Sequence, residues 1–198
     1  MDTRNLLNNR PPVRRLAGHN PALFLFAALL AAAGAAVTYL GFVRTTTGQL
    51  ADESAWREAE LVAPGTRLPV LQVLDSLPLV SVFIALAVIL AVTLYRKRLS
   101  PAIIAVATMA GANLTTQLLK NLLLDRPDRG VITLDFNSLP SGHTTMAASA
   151  MAAVFLVSSP RWRPAVAALG GTYAVLAGSA TFFNLWHRPA DVVAAFFV

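Results

Sequence analysis

The sequence predicts an all-α integral membrane protein, a bundle of six transmembrane helices with the last one cut short. Three observations carry this. Of 198 residues, 56% are hydrophobic, and the mean hydropathy is +0.59, well above an ordinary soluble domain. The apolar residues lie in long uncharged blocks separated by polar joints. Basic residues gather at alternate joints, as they do where loops face the cytoplasm.

Residues 1–20 form a polar, basic arm with Arg4, Arg10, Arg14 and Arg15; no role is expected for its His19. Residues 21–198 form a single transmembrane domain. Its first span runs from Pro21 to about Val43, too long and too closely followed by others for a cleavable signal. Residues 44–77 are the longest polar segment, with Asp52, Glu53, Glu58, Glu60 and Asp75 against Arg44, Arg57 and Arg67. Trp56 and neighbouring apolar pairs predict a short amphipathic helix on the membrane surface. It would cover a substrate opening or serve packing alone.

The second span, Pro78–Tyr95, is closed by Arg96-Lys97-Arg98. The third runs from Pro101 to about Leu124 and turns amphipathic through Asn113, Thr115, Thr116, Gln117 and Lys120. After a loop over Asp125–Pro140, the fourth span ends near Val157. Arg161 and Arg163 occupy the next joint, and the fifth span covers about Pro164–Leu185. The last apolar run, Val192–Val198, falls short of the roughly 20 residues a crossing needs, which points to truncation within a sixth span. The three strongly basic joints fall on one side, so the N-terminus is placed in the cytoplasm. The 44–77 segment, the 125–140 loop and the His187 turn then face outward, in a plasma-membrane location.

The net charge of +6 is carried almost wholly by arginine. Flanking apolar blocks, it reads as a topology signal, and no nucleic-acid partner is expected. Without cysteine, disulfides and thiolate metal sites are excluded. Oligomeric state is not legible.

Three polar clusters gather on the outward face. Lys120, one of two lysines, precedes a charged knot, Asp125-Arg126-Pro127-Asp128-Arg129. In Pro140-Ser141-Gly142-His143, Pro and Gly punctuate a turn and Ser141 is a good helix N-cap. A helix start suits an anion, and a histidine beside it can exchange a proton. In His187-x-x-x-Asp191, a helical spacing lets the carboxylate hold one imidazole nitrogen and aim the other. Together these supply the parts of a metal-free phosphoryl-transfer site.

At these residues the sequence resembles the type-2 phosphatidic acid phosphatase family of membrane lipid phosphatases, over roughly Leu118–Val193. Pro140-Ser141-Gly142-His143 matches the middle motif in full. Lys120 with Arg126-Pro127 is similar to the first motif, and His187-x-x-x-Asp191 to the end of the third. The resemblance implies a nucleophilic His187 that forms a phosphohistidine, oriented by Asp191. It implies His143 as acid for the leaving group, and Lys120, Arg126, Ser141 and Gly142 as the phosphate grip, with no metal and no cofactor. The implied substrate is a lipid phosphate in the bilayer. Outward orientation favours a polyprenyl phosphate or diphosphate carrier of cell-envelope synthesis over phosphatidic acid or phosphatidylglycerol phosphate. The preference for Ala and for Arg over Lys hints at a GC-rich bacterial genome.

Two departures stand out. Five residues, not the family's six, separate Lys120 from Arg126, a difference that a helix irregularity at the end of span three would absorb. The third motif's arginine, six positions before the histidine, is Thr181 here, and its serine is Ala180. Arg188 or Arg129 are the candidate compensating cations. By analogy with one oxyanion-hole donor, losing such a ligand costs about 2.7–4 kcal/mol of transition-state stabilisation. A lipid phosphotransferase and a catalytically weakened lipid-binding protein therefore stay open. A metal-dependent alcohol phosphotransferase on Asp125 and Asp128 is disfavoured because its remaining residues are missing. A transporter is disfavoured because the polar residues gather at one face rather than at mid-span.

Overall fold

The computed structural model describes residues 20–62, 69–133 and 136–198, with side chains left undescribed over 62–75. His19 and the arm before it lie outside the described residues. Among the described residues the regular structure is all helical: α1 (Pro21–Thr38), α2 (Thr46–Val62), α3 (Pro69–Arg96), α4 (Ser100–Leu118), α5 (Gly142–Val157), α6 (Arg163–Phe183) and α7 (Pro189–Ala195). A π turn extends α1 over Tyr39–Val43, and another extends α4 over Leu119–Leu123.

Four segments among the described residues are long and apolar enough to cross a membrane: Pro21–Val43, Ser76–Arg96, Ser100–Leu123 and Arg163–Phe183. The expected fourth span, α5, is apolar but only 16 residues long, and α7 has seven. The expected six-span count therefore reduces here to four long helices and two shorter ones. The second span differs at its start: α3 begins at Pro69 and carries Pro78 inside it. Pro78 has no N–H to give the carbonyl four residues back, and the Ser81 hydroxyl donates to the Pro78 carbonyl at 2.6 Å.

The short α5 lies at the centre, packed against α3, α4 and α6. Its residues explain that position. Ala147, Ala150 and Ala153 are fully buried, and small side chains let helix backbones approach closely where apolar solvent gives no hydrophobic drive. A cluster of Ala85 and Ile89 from α3, Ala105 and Met109 from α4, and Ala150, Ala153 and Val157 from α5 fills the middle. Polar pairs fix its register: Thr116 and Thr145 hydroxyls lie 2.9 Å apart, and Asn113 Nδ2 donates to Ser149 Oγ at 3.0 Å. The large side chains point the other way, with Phe24, Leu29, Phe83, Leu90, Ile103 and Leu169 among the exposed ones. Such a surface suits lipid and not water.

The amphipathic helix expected within 44–77 is α2, but it is oriented unexpectedly. Its buried residues include Gln49, Asp52, Glu53 and Ala59, whereas Leu50 and Leu61 are exposed. Gln49, Asp52 and Glu53 turn inward, where a buried arginine and unpaired backbone groups await them, while Ser54, Arg57, Glu58 and Glu60 stay exposed.

Gly178 of α6 marks the closest approach between three helices at this end. A Cβ there would lie 2.8 Å from Val192 Cγ1 of α7 and 3.1 Å from Thr144 Cγ2 of α5. Gly178→Ala is expected to cost about 1–3 kcal/mol through overpacking. In a thermal unfolding scan in detergent, the Tm should fall on the order of 5 °C.

Candidate active site

The turn between α6 and α7 is shaped by Thr181, whose hydroxyl donates to the Gly178 carbonyl at 2.7 Å. Its own carbonyl accepts from Trp186 N at 3.0 Å and His187 N at 3.2 Å. Within that turn Leu185 has φ of 62°, a left-handed conformation that a branched residue adopts only when its surroundings impose it. The Leu185 carbonyl is held by Trp56 Nε1 of α2 at 3.2 Å. The backbone around His187 is thus set by a helix distant in sequence.

His187 is buried, and its Nδ1 lies 3.3 Å from Asp191 Oδ2. For that bond to form, Nδ1 carries the proton and Nε2 keeps its lone pair. The same carboxylate oxygen accepts from Ser138 Oγ at 2.7 Å and from the backbone N–H of Arg188 at 3.0 Å. Asp191 is in the first turn of α7, so its carboxylate satisfies an N–H that the helix start leaves unpaired. Asp52 Oδ1 of α2 does the same for Ala190 N at 2.9 Å.

The loop before α5 closes the site from the other side. Ser141 is its N-cap: Ser141 Oγ accepts from Thr144 N at 3.3 Å, and Ser141 N donates to the Asp191 carbonyl at 2.9 Å. This puts Ser141 and Gly142 beside α7. His143 follows, half-buried, with its ring centroid 5.9 Å from that of His187 and 5.0 Å from that of Trp186.

The expected irregularity at the end of span three is the π turn itself, closed by Leu124 N donating to Leu119 O at 2.9 Å. Asn137 Nδ2 reaches the carbonyls of Lys120 and Leu124, each at 3.3 Å, and that of Leu139 at 2.9 Å. Lys120 is therefore fixed against the segment that leads into Ser141, and it is half-buried. Arg126 follows in the loop. Its Nε and Nη2 are buried and have no hydrogen-bond partner, so two donors remain for an incoming acceptor. Burial, reinforced by the positive charge of Arg188, holds this guanidinium below the usual arginine range. The loop is tied to α2 by Gln49 Nε2 donating to the Pro127 carbonyl at 2.9 Å.

The two cations proposed to offset Thr181 fare differently. Arg129 is exposed. Arg188 is buried, but its donors are engaged: Nε with Glu53 Oε2 at 3.4 Å, Nη1 with Ser138 Oγ at 3.0 Å, and Nη2 with the Thr133 hydroxyl. Of the alternative D-x-x-D pair, Asp125 is bonded to Tyr39 OH at 2.8 Å and Arg44 Nη1 at 2.7 Å, and Asp128 Oδ1 accepts from Gly130 N at 2.8 Å.

Against this geometry, the PAP2 superfamily sequence profile matches residues 76–198. The chain belongs to the PAP2 superfamily. Its fold is similar to that of a transmembrane PAP2-type phosphatidylglycerolphosphate phosphatase from Bacillus subtilis, with a TM-score of 0.62 and 25% identity over 89% of this chain and 88% of that one. Comparison with curated proteins gives no match. This PAP2-superfamily chain is thus a multi-pass membrane protein with the fold of a membrane phosphatase.

Sequence reasoning missed Asp52, Glu53, Trp56, Thr133 and Ser138. Only Ser138 carried a signal, its place three residues before the Ser141 cap. The α2 residues read as an ordinary polar face, since their partners lie 80 to 138 positions away.

Asp52 gives a pH test. Burial pushes its carboxyl up to about 6 from the usual 3.8, while Ala190 N opposes the shift. Its Oδ2 has no partner. A folded-state value above the unfolded one means stability is present below the unfolded value and is lost as pH rises through about 6. Asp52→Asn keeps the acceptor for Ala190 and removes the buried charge. The variant is expected to unfold at a higher Tm than the parent at pH 7.5, by an amount equivalent to on the order of 2 kcal/mol. The advantage should vanish near pH 4.

Proposed function

We propose that this protein is a membrane lipid phosphatase that works through a phosphohistidine on His187. The reading is carried by one arrangement: two histidine rings 5.9 Å apart, one of them tied through Nδ1 to a buried carboxylate. The unpartnered Nε and Nη2 of Arg126 at the same end of the bundle support it. The His187 Nε2 lone pair attacks phosphorus, and the bond from phosphorus to the lipid oxygen breaks. His143 gives that oxygen its proton. Water, deprotonated by His143, then attacks the phosphohistidine, and phosphate leaves as His187 is restored. Lys120, Arg126 and the Ser141–Gly142 start of α5 bind the phosphoryl oxygens, and Asp191 orients His187. This chain's reaction is proposed to proceed without a metal.

The proposed substrate is a polyprenyl phosphate or diphosphate presented on the extracytoplasmic side. A second reading is a glycerophospholipid phosphatase acting on phosphatidic acid or phosphatidylglycerol phosphate, the latter favoured by the similar fold of the Bacillus subtilis phosphatidylglycerolphosphate phosphatase. The test is phosphate release by purified protein in detergent with excess chelator, comparing polyprenyl diphosphate, polyprenyl monophosphate, phosphatidylglycerol phosphate and phosphatidic acid. Release should survive chelation, and the preferred lipid names the class. His187→Ala and His143→Ala are each expected to lower turnover by about a hundredfold or more, and His19→Ala to leave it unchanged. Normal turnover by the His187 variant would sink the mechanism.

Sidedness has its own test, helped by a chain without cysteine. With a membrane-impermeant maleimide on intact cells, Arg129→Cys should be labelled, and Arg161→Cys only after permeabilisation. The reverse pattern would put the site on the cytoplasmic face.

A further inference from the structure

We infer that Glu53 of α2 is a positioning residue for the His187–Asp191 pair, acting through Arg188 and Ser138. The inference rests on the phosphatase reading above. It brings in a helix outside residues 76–198, the part matched by the superfamily profile.

The direction of each bond is fixed by chemistry. Arginine donates and never accepts. Arg188 Nη1 therefore donates to Ser138 Oγ at 3.0 Å, and the single hydroxyl proton of Ser138 is left to donate to Asp191 Oδ2 at 2.7 Å. Were Arg188 turned away, that hydroxyl would be free to rotate, and Asp191 would lose a donor that aims its carboxylate at His187 Nδ1.

Glu53 is what keeps Arg188 in place. Its Oε2 accepts from Arg188 Nε at 3.4 Å and from Thr133 Oγ1 at 2.7 Å. Arg188 Nη2 also bonds to the Thr133 hydroxyl. Glu53 is 8% exposed and Arg188 3%, so the buried guanidinium needs this carboxylate, whose other oxygen faces Arg57 Nε at 3.5 Å. The neighbouring α2 contacts act on the same turn: Asp52 on Ala190 N, and Trp56 on the Leu185 carbonyl. The face of α2 formed by residues 52, 53 and 56 thus grips both sides of His187. A guanidinium committed to Glu53, Thr133 and Ser138 is a structural brace, and this assigns Arg188 a different task from that of a phosphate ligand replacing the arginine missing at position 181.

The experiment measures kcat and KM for phosphate release by the full chain and its variants Glu53→Ala, Glu53→Gln, Ser138→Ala and Glu53→Ala with Ser138→Ala. Glu53→Ala and Ser138→Ala should each lower kcat by about tenfold or more, with KM within about threefold, by analogy with the loss when the partner behind a metal-bound histidine is removed. Glu53→Gln keeps an oxygen for Arg188 and Thr133 and should restore kcat to within about threefold of the parent. The double variant should be no more than about twofold below Ser138→Ala, because both changes cut one path. An unchanged kcat in Glu53→Ala, or losses that multiply in the double variant, would overturn the inference. With three histidines in the chain, ¹⁵N-histidine spectra give a readout independent of turnover. The His187 signal, assigned with His187→Gln, should lose Nδ1–H character in Glu53→Ala and regain it in Glu53→Gln. If the parent releases no phosphate from any lipid, the functional reading fails and the spectra alone decide this inference, an unmoved His187 signal counting against it.

Discussion

One carboxylate oxygen, Asp191 Oδ2, gathers three donors: the Ser138 hydroxyl, the Arg188 backbone N–H and the His187 ring. Those donors come from the loop before α5, the start of α7 and the turn after α6. An oxygen that accepts from all three fixes the relative positions of the segments that carry both histidines. With Asp191 1% exposed, water cannot substitute for a misplaced donor, so small displacements are costly. The closeness of the His143 and His187 rings follows from this constraint.

The bundle beneath exists to hold that convergence steady in lipid. A membrane supplies little drive for apolar side chains to hide from one another, so close packing and interhelical hydrogen bonds must do so. The alanines of α5 meet the first need, and the Thr116–Thr145 and Asn113–Ser149 pairs the second. Long side chains are left on the outside, where they match the solvent. The polar end inverts the pattern. There α2 turns carboxylates inward, because α7 presents unpaired N–H groups and Arg188 a buried charge.

The missing third-motif arginine is easier to place with this geometry in view. Thr181 lies in the last turn of α6 and shapes the His187 turn through its carbonyl. Arg188, the nearest replacement in sequence, is enclosed by Glu53, Ser138 and Thr133. Among the described residues, Arg126 is the guanidinium with two buried nitrogens, Nε and Nη2, left unpartnered. Under the proposed mechanism, it carries a larger share of the phosphate than the motif alone would assign to it.

The sequence by itself determined the membrane class, from uncharged blocks of spanning length, and the superfamily, from Pro140-Ser141-Gly142-His143 and His187-x-x-x-Asp191. Both signals are local: hydropathy accumulates along one segment, and motif spacing follows the period of one helix. The irregular end of span three was legible for the same reason, as a one-residue shortfall between Lys120 and Arg126. What only the tertiary structure decided is everything carried by partners far apart in the chain. That Glu53 meets Arg188, that Trp56 holds Leu185, and that Asp52 and Glu53 rather than Glu58 and Glu60 are the buried carboxylates of α2 depend on how helices pack. An amphipathic pattern states that a helix has two faces; which face is covered is set by the charges and unpaired backbone groups that packing brings against it.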